Sequence, residues 1–160
     1  DKHRPRRWAE GGIMSNKGPV YDDVNVGDEI PRLIVGPVTI QDLVEWCGAE
    51  EDYLNIHFDD AVAKAAGLPG CIVQGTYKCG MLGRMVTDWL GETGVFRKIT
   101  VSYRGMDFPG DTLTCKGKVT QKYVKNEESC IELELSTENQ RGKRTTRGTA
   151  LVTLPMRSPG

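Results

Sequence analysis

The carboxyl-terminal half of the chain contains long segments in which apolar and polar residues alternate, separated only by short turn signals. In one of them Ile131, Leu133 and Leu135 fall on the same face, as alternate residues of a strand do. Long strands that follow one another through short turns pair with their neighbours, so the pattern predicts an antiparallel meander. The segments cover residues 95–104, 112–124, 130–137 and 144–154.

A long helical pattern precedes these strands. It opens at Gln74-Gly75-Thr76 and stops at Gly91, and its apolar residues recur at helical spacing: Met81, Leu82, Met85, Val86, Trp89 and Leu90. Because the apolar face of the sheet needs a cover, we expect this helix to be central and buried. The predicted fold is therefore of the α+β class, with an antiparallel sheet wrapped around a long central helix.

Two shorter helices are predicted ahead of the central one. Thr39 and Asp42 have the spacing of a capping box, and the helix that they open is expected to end at Gly48. Asp59 is a candidate cap for the second, very short helix. The connection between the two, residues 49–58, is predicted to be irregular and held by a helix at each end.

This connection carries His57, and the only other histidine, His3, lies in the amino-terminal segment. A histidine titrates near neutrality, so a histidine and a carboxylate such as Asp52 are sufficient groups for acid/base catalysis at physiological pH. The two residues are five positions apart, so their side chains converge only if the segment bends. The alternative interpretation makes Asp52 a turn cap and His57 a hydrogen-bonded core residue.

Length and composition predict one globular domain over residues 19–157, preceded by a basic, mobile arm over residues 1–18. The net charge of -1 gives no global electrostatic reason to expect nucleic acid as a partner. No apolar run approaches the roughly 18 residues of a membrane span. We therefore expect a cytoplasmic protein without nucleic-acid or membrane partners.

The cysteines point to a reducing environment. They are odd in number and include no Cys-x-x-Cys pair, which predicts free thiols that serve as small apolar residues. Only His57 is available in the body of the chain to complete a metal site with them, so we expect no metal and no cofactor. The cysteines are Cys47, Cys71, Cys79, Cys115 and Cys130.

Several motifs occur in a fixed order between about residues 21 and 155. They are Tyr21-Asp22-Asp23-Val24, Val26-Gly27-Asp28-Glu29, residues 52–57, Ala66-Gly67, Ile72-Val73-Gln74-Gly75, Phe108-Pro109-Gly110-Asp111-Thr112-Leu113, residues 139–142 and residues 148–155. In order and spacing they resemble the MaoC-like or (R)-specific enoyl-CoA hydratases and dehydratases, which have the hot-dog fold. The resemblance implies that Asp52 and His57 are catalytic and that the backbone N–H of Gly75 binds the thioester oxygen.

The chain departs from the family pattern near these residues. Leu54-Asn55 stands where Asn-Pro is usual, and Gln74 stands where a histidine commonly precedes the glycine. Glutamine can donate and accept hydrogen bonds but cannot titrate. Side chains beside the catalytic groups, and basic side chains near the following strand that could meet coenzyme A phosphates, are the expected substrate contacts: Asn55, Gln74, Thr76, Lys98 and Arg104.

The resemblance implies a lyase of fatty acid metabolism that reversibly hydrates a trans-2-enoyl-CoA, or the carrier-protein thioester, to the (R)-3-hydroxyacyl thioester. Coenzyme A enters only as part of the substrate. The resemblance also implies a homodimer or higher oligomer, or a heteromer with a related chain. The alternatives are a hot-dog acyl-CoA thioesterase, a non-catalytic or co-catalytic subunit of a heteromeric hydratase, and a protein that binds acyl chains without turnover.

Overall fold

A computed structural model describes residues 17–158. The predicted arm over residues 1–18 lies almost entirely outside this range, so its boundary stays a prediction. The described chain forms helices α1 (Ile40–Glu50), α2 (Asp60–Ala65) and α3 (Gly75–Leu90), and strands β1 (Leu33–Val35), β2 (Val95–Tyr103), β3 (Leu113–Lys125), β4 (Glu128–Asn139) and β5 (Arg144–Thr153). Short 3-10 helices lie at Tyr21–Asp23 and Asn55–His57. None of the described helices is long and apolar enough to cross a membrane.

The strands form one antiparallel sheet in the order β1-β3-β4-β5-β2. The predicted meander is confirmed for β3, β4 and β5, which pair in sequence order. It is wrong for β2, which pairs with β5 and not with β3. The chain after β2 crosses the end of the sheet to reach β3 instead of turning back. It stays attached to β5 at first, since the N–H groups of Arg104 and Gly105 both donate to the carbonyl oxygen of Thr145.

The core lies between α3 and the sheet, which confirms the predicted α+β arrangement. Side chains from one face of α3 and from the inner face of β3, β4 and β5 form a single buried cluster. Removing such side chains from water contributes about 1.5–3 kcal/mol each, so this contact dominates the stability of the fold. The α3 members are Leu82, Met85, Val86 and Leu90, and the strand members include Val119, Ile131, Leu133, Leu135 and Val152.

Helix α1 packs on the first turns of α3 through Trp46. The indole lies where a side chain at position 80 would be, so only glycine fits at Gly80. The same ring meets Tyr77 edge-on, with ring centroids 5.5 Å apart and planes at 81°. Aromatic pairs prefer this T-shaped geometry, which adds to the area that the two helices bury.

The capping box predicted for α1 is confirmed. Thr39 Oγ1 accepts a hydrogen bond from the N–H of Asp42 at 3.1 Å, and Asp42 Oδ2 accepts one from the N–H of Thr39 at 2.8 Å. The predicted end at Gly48 is wrong, since the helix continues to Glu50 and Glu51 then adopts a left-handed φ of 58°. The two extra residues are held because the Glu50 carboxylate accepts a hydrogen bond from Thr76 Oγ1 of α3 at 2.6 Å.

The predicted cap of α2 is also confirmed, because Asp59 Oδ1 accepts hydrogen bonds from the N–H groups of Ala61 and Val62 at 3.0 and 3.2 Å. The cysteines are free thiols, and all but Cys79 are buried, as predicted. Burial raises the pKa of the Cys115 thiol to about 12. This thiol is therefore protonated at neutral pH and acts as an apolar residue.

Candidate active site

His57 lies on the 3-10 helix between α1 and α2 and is only 7% exposed. Its Nδ1 is 2.8 Å from the carbonyl oxygen of Ile72. Because a carbonyl oxygen can only accept, Nδ1 carries the proton, and Nε2 of the neutral ring then holds a lone pair. No group between residues 17 and 158 hydrogen-bonds to Nε2. His57 is thus a buried, hydrogen-bonded residue that still presents a basic nitrogen.

Two hydrogen bonds connect the His57 segment to the residues that lead into α3. The N–H of Ile72 donates to the carbonyl oxygen of Ile56 at 3.3 Å, and the His57 ring donates back to the carbonyl oxygen of Ile72. Ile72 lies three positions before Gly75 in the chain. The histidine is therefore held beside the segment that opens α3.

Asp52 lies just beyond the end of α1, after the left-handed residue Glu51, which supplies the bend that the spacing required. Asp52 Oδ1 accepts a hydrogen bond from the N–H of Leu54 at 3.2 Å, so this carboxylate also caps a turn. Within the described range no hydrogen bond joins Asp52 directly to His57. Its second oxygen, Oδ2, is thus not committed to the turn.

Gly75 is the first residue of α3 and follows Gln74, whose φ of -57° and ψ of 141° are extended. In the described part of the chain no side chain caps this helix end, so its first N–H groups have no side-chain acceptor and the helix dipole adds positive potential there. A Cβ at position 75 would come within 2.8 Å of the Tyr103 ring. The tyrosine ring therefore lies against the glycine Cα and forms a wall of the site.

Gln74 connects this helix end to α1. Its Nε2 donates to the carbonyl oxygen of Leu43 and to Cys47 Sγ, both at 3.1 Å. Its Oε1 is buried and has no hydrogen-bond partner among residues 17–158. The amide group thus holds α1 in place and leaves one acceptor unpaired.

Thr76 faces helix α1. Its Oγ1 donates to the Glu50 carboxylate and accepts a hydrogen bond from Trp46 Nε1 at 3.1 Å. The hydroxyl group already makes both kinds of hydrogen bond, so in this arrangement it serves the contact between α1 and α3.

The other expected substrate contacts lie on the surface. Asn55 begins the 3-10 helix and its side chain is exposed. Lys98 is an exposed residue of β2. Arg104 follows β2 and, with Arg144 and Arg147, lines a groove of about 770 Å³ that Lys98 does not line. The structure thus distinguishes two basic residues that look equivalent in the sequence.

A buried ion pair near α3 is missing from the sequence-based prediction. Lys78 Nζ lies 3.0 Å from Asp107 Oδ2, and the two side chains are 2% and 0% exposed. One signal was present, because Lys78 is in helical phase with the apolar residues Leu82 and Met85. A lysine in such a stripe needs a buried partner. Nothing in the local pattern identifies Asp107, which lies in an irregular connection.

The sequence and the fold of this chain are both similar to those of known proteins. A model of the MaoC like domain matches residues 25–140. The (R)-hydratase from A. caviae involved in PHA biosynthesis superposes with a TM-score of 0.75 and 22% identity, covering 83% of this chain and 98% of that one. The ChsH1-ChsH2 complex from Mycobacterium tuberculosis superposes with a TM-score of 0.71 and 25% identity, covering 81% of this chain and 98% of that one. The likeness confirms the predicted hot-dog fold.

A relative is also found by sequence. The fatty acid synthase subunit beta of Aspergillus oryzae (strain ATCC 42149 / RIB 40) is 33% identical in an alignment of 112 residues, which covers 63% of this chain and 6% of that protein. The chain therefore corresponds to a small part of that much longer polypeptide.

Proposed function

This chain belongs to the MaoC-like dehydratase family, and we propose that it reversibly adds water to a trans-2-enoyl thioester to give an (R)-3-hydroxyacyl thioester. Hydration of this kind needs a base for the water and a donor for the thioester oxygen. One observation carries the proposal: the hydrogen bonds at Ile72 hold His57 beside the segment that opens α3, and among residues 17–158 neither His57 Nε2 nor this helix end has a side-chain partner. The name of the A. caviae neighbour supports the (R) configuration.

In the proposed mechanism a water molecule lies between Asp52 Oδ2 and His57 Nε2. His57 takes a proton from the water while the water oxygen bonds to the β-carbon. The electron pair of the alkene then moves through the α-carbon onto the thioester oxygen. The N–H of Gly75 and the dipole of α3 stabilise this enolate. The α-carbon then takes a proton from the Asp52–His57 pair, which completes the product and restores both side chains.

The test is a panel of trans-2-enoyl-CoA substrates of different chain length, followed by the loss of the conjugated alkene absorbance. Loss of absorbance without release of free thiol supports the hydratase. Release of thiol with the alkene intact would show that the protein is a thioesterase and not a hydratase. Binding without either change would favour a protein that only holds acyl chains.

Arg104 and Arg147 are proposed to bind the phosphate groups of coenzyme A. Both line the 770 Å³ groove, and neither has a carboxylate partner among residues 17–158. Arg104 directly follows Tyr103 in the chain, and the Tyr103 ring lies against Gly75. Guanidinium groups suit phosphates because they offer paired N–H donors at a fixed charge.

Replacing both arginines by alanine is expected to raise KM for an enoyl-CoA about tenfold and to leave kcat nearly unchanged, because the phosphates are remote from the reacting carbons. Steady-state kinetics measure both constants. Lys98→Ala is the matched control, since it removes a basic residue of β2 outside the groove. An equal rise in KM for an enoyl-pantetheine, which lacks these phosphates, would contradict the assignment of the two arginines to the phosphate groups.

The exposed edge of β2 supports a dimer or higher oligomer. Within residues 17–158 β2 pairs only with β5, so along its other side a run of backbone groups lacks a strand partner in this part of the chain. Val95 and Tyr103 at its two ends are 44% and 48% exposed. We expect light scattering to give at least twice the chain mass. The neighbour named as a ChsH1-ChsH2 complex supports a second, heteromeric form of this proposal.

The two forms lead to different results. An active homo-oligomer supports pairing of identical chains. An inactive protein that gains activity when a related chain is added supports the heteromeric subunit. A well-folded monomer that turns over substrate would contradict both.

A further inference from the structure

We propose that the buried pair Lys78–Asp107 positions the backbone N–H of Gly75 for catalysis, so that both are positioning residues. The inference rests on the function proposed above, since it concerns the donor to the thioester oxygen. It adds two residues that contact neither the water nor the thioester in the mechanism proposed above.

Asp107 holds the chain on both sides of Gly75. Its backbone carbonyl oxygen accepts a hydrogen bond from the N–H of Val73 at 2.9 Å, just before the glycine. Its side-chain Oδ2 accepts one from Lys78 Nζ at 3.0 Å, one turn into α3. The glycine therefore lies between two attachment points on a single residue.

The attachment reaches the sheet. Asp107 Oδ2 also accepts a hydrogen bond from Thr145 Oγ1 at 2.5 Å, and Oδ1 accepts one from Asn139 Nδ2 at 3.1 Å. Lys78 Nζ donates in addition to the carbonyl oxygen of Gly105 at 3.0 Å. Both carboxylate oxygens and the ammonium group are thus bonded, and the start of α3 is fixed to the ends of β4 and β5.

Stability alone does not explain this pair. Two buried charges lose their hydration, and well-packed apolar residues in their place are often as stable or more stable. What the ion pair adds is directional bonds that define one position of α3. Lys78 Nζ also lies 6.0 Å from the centre of the Tyr103 ring, which itself rests on Gly75. A shift of about 1 Å at a reacting group can lower a rate about 100-fold, so a fixed position matters for an oxyanion donor.

The first variant removes both charges. Lys78→Met combined with Asp107→Leu leaves no lone buried charge, so it separates geometry from the damage that an unpaired charge causes. The second variant, Thr145→Val, keeps the size of the side chain and removes its hydrogen bonds to Asp107 and to Thr137 Oγ1. If the double variant does not fold, this milder change decides the question. Thermal unfolding checks the fold of both.

The main readout is the infrared carbonyl stretch of bound hexanoyl-CoA labelled with 13C at the thioester carbon, a saturated ligand that cannot be hydrated. Donation from the Gly75 N–H lowers this frequency. We expect the frequency shift to shrink in both variants and kcat for an enoyl-CoA to fall about 10- to 100-fold in the double variant, with KM changed by less than about twofold. A merely structural role would not move the carbonyl frequency of the ligand bound by folded protein.

Lys116→Met is the control, because it removes a lysine from another ion pair, with Glu138 at 2.9 Å, that joins two strands. It should change neither the frequency nor kcat. A folded double variant with the wild-type frequency shift and kcat would overturn the inference. If only Thr145→Val folds, a wild-type frequency shift and kcat in that variant would overturn it. A wild-type complex without any shift would overturn it too. A shift without turnover would refute only the proposed reaction.

Discussion

His57→Ala is expected to lower kcat for enoyl-CoA hydration about 100-fold or more, because it removes the base that takes the proton from water. Asp52→Asn should have an effect of similar size. The asparagine side chain can still accept the turn hydrogen bond from the Leu54 N–H, so this change removes the charge and keeps the turn. Steady-state kinetics on the best enoyl-CoA substrate measure both losses, with circular dichroism to confirm the fold.

A neighbouring carboxylate serves as the control for this pair. Asp59 caps α2 two positions after His57 but has no place in the mechanism, so Asp59→Asn should keep kcat near the wild-type value. Full turnover in the His57 or Asp52 variant would mean that these residues only cap a turn and fill the core. The catalytic assignment would then fail even though the family membership stands.

Gly75→Pro is expected to abolish hydration, because it removes the N–H that binds the enolate oxygen. Loss of one oxyanion donor costs about 100- to 1000-fold in kcat. The fold should tolerate the change. Proline is favoured in the first turn of a helix, and the extended φ and ψ of Gln74 are those that a residue before proline adopts.

Gly75→Ala is the matched variant for this test. Both substitutions add a Cβ, which would come within 2.8 Å of the Tyr103 ring, but only alanine keeps the N–H. Tyr103 is 48% exposed, so its ring has room to move away. The comparison of kcat between the two variants therefore separates the loss of the N–H from the effect of the added Cβ. Equal activity of the folded proline and alanine variants would show that Gly75 is not the donor.

Local interactions could be predicted from the sequence because they depend on residues a few positions apart. The capping box of Thr39 and Asp42 lies within one helical turn, and the buried face of β4 follows from strict alternation. The motif around Gly75 likewise marked the start of the long helix correctly. The candidate residues Asp52, His57 and Gly75 were identified at this level.

Whether those residues can act together depends on contacts between distant parts of the chain. The proton on His57 Nδ1 is assigned by the carbonyl oxygen of Ile72, 15 positions away, and the partner of Lys78 lies 29 positions away in an irregular connection. The pairing of β2 with β5 depends on the same connection, which crosses the end of the sheet. The local hydrophobic pattern does not predict such partners, because their geometry arises only when helix, sheet and loops pack together.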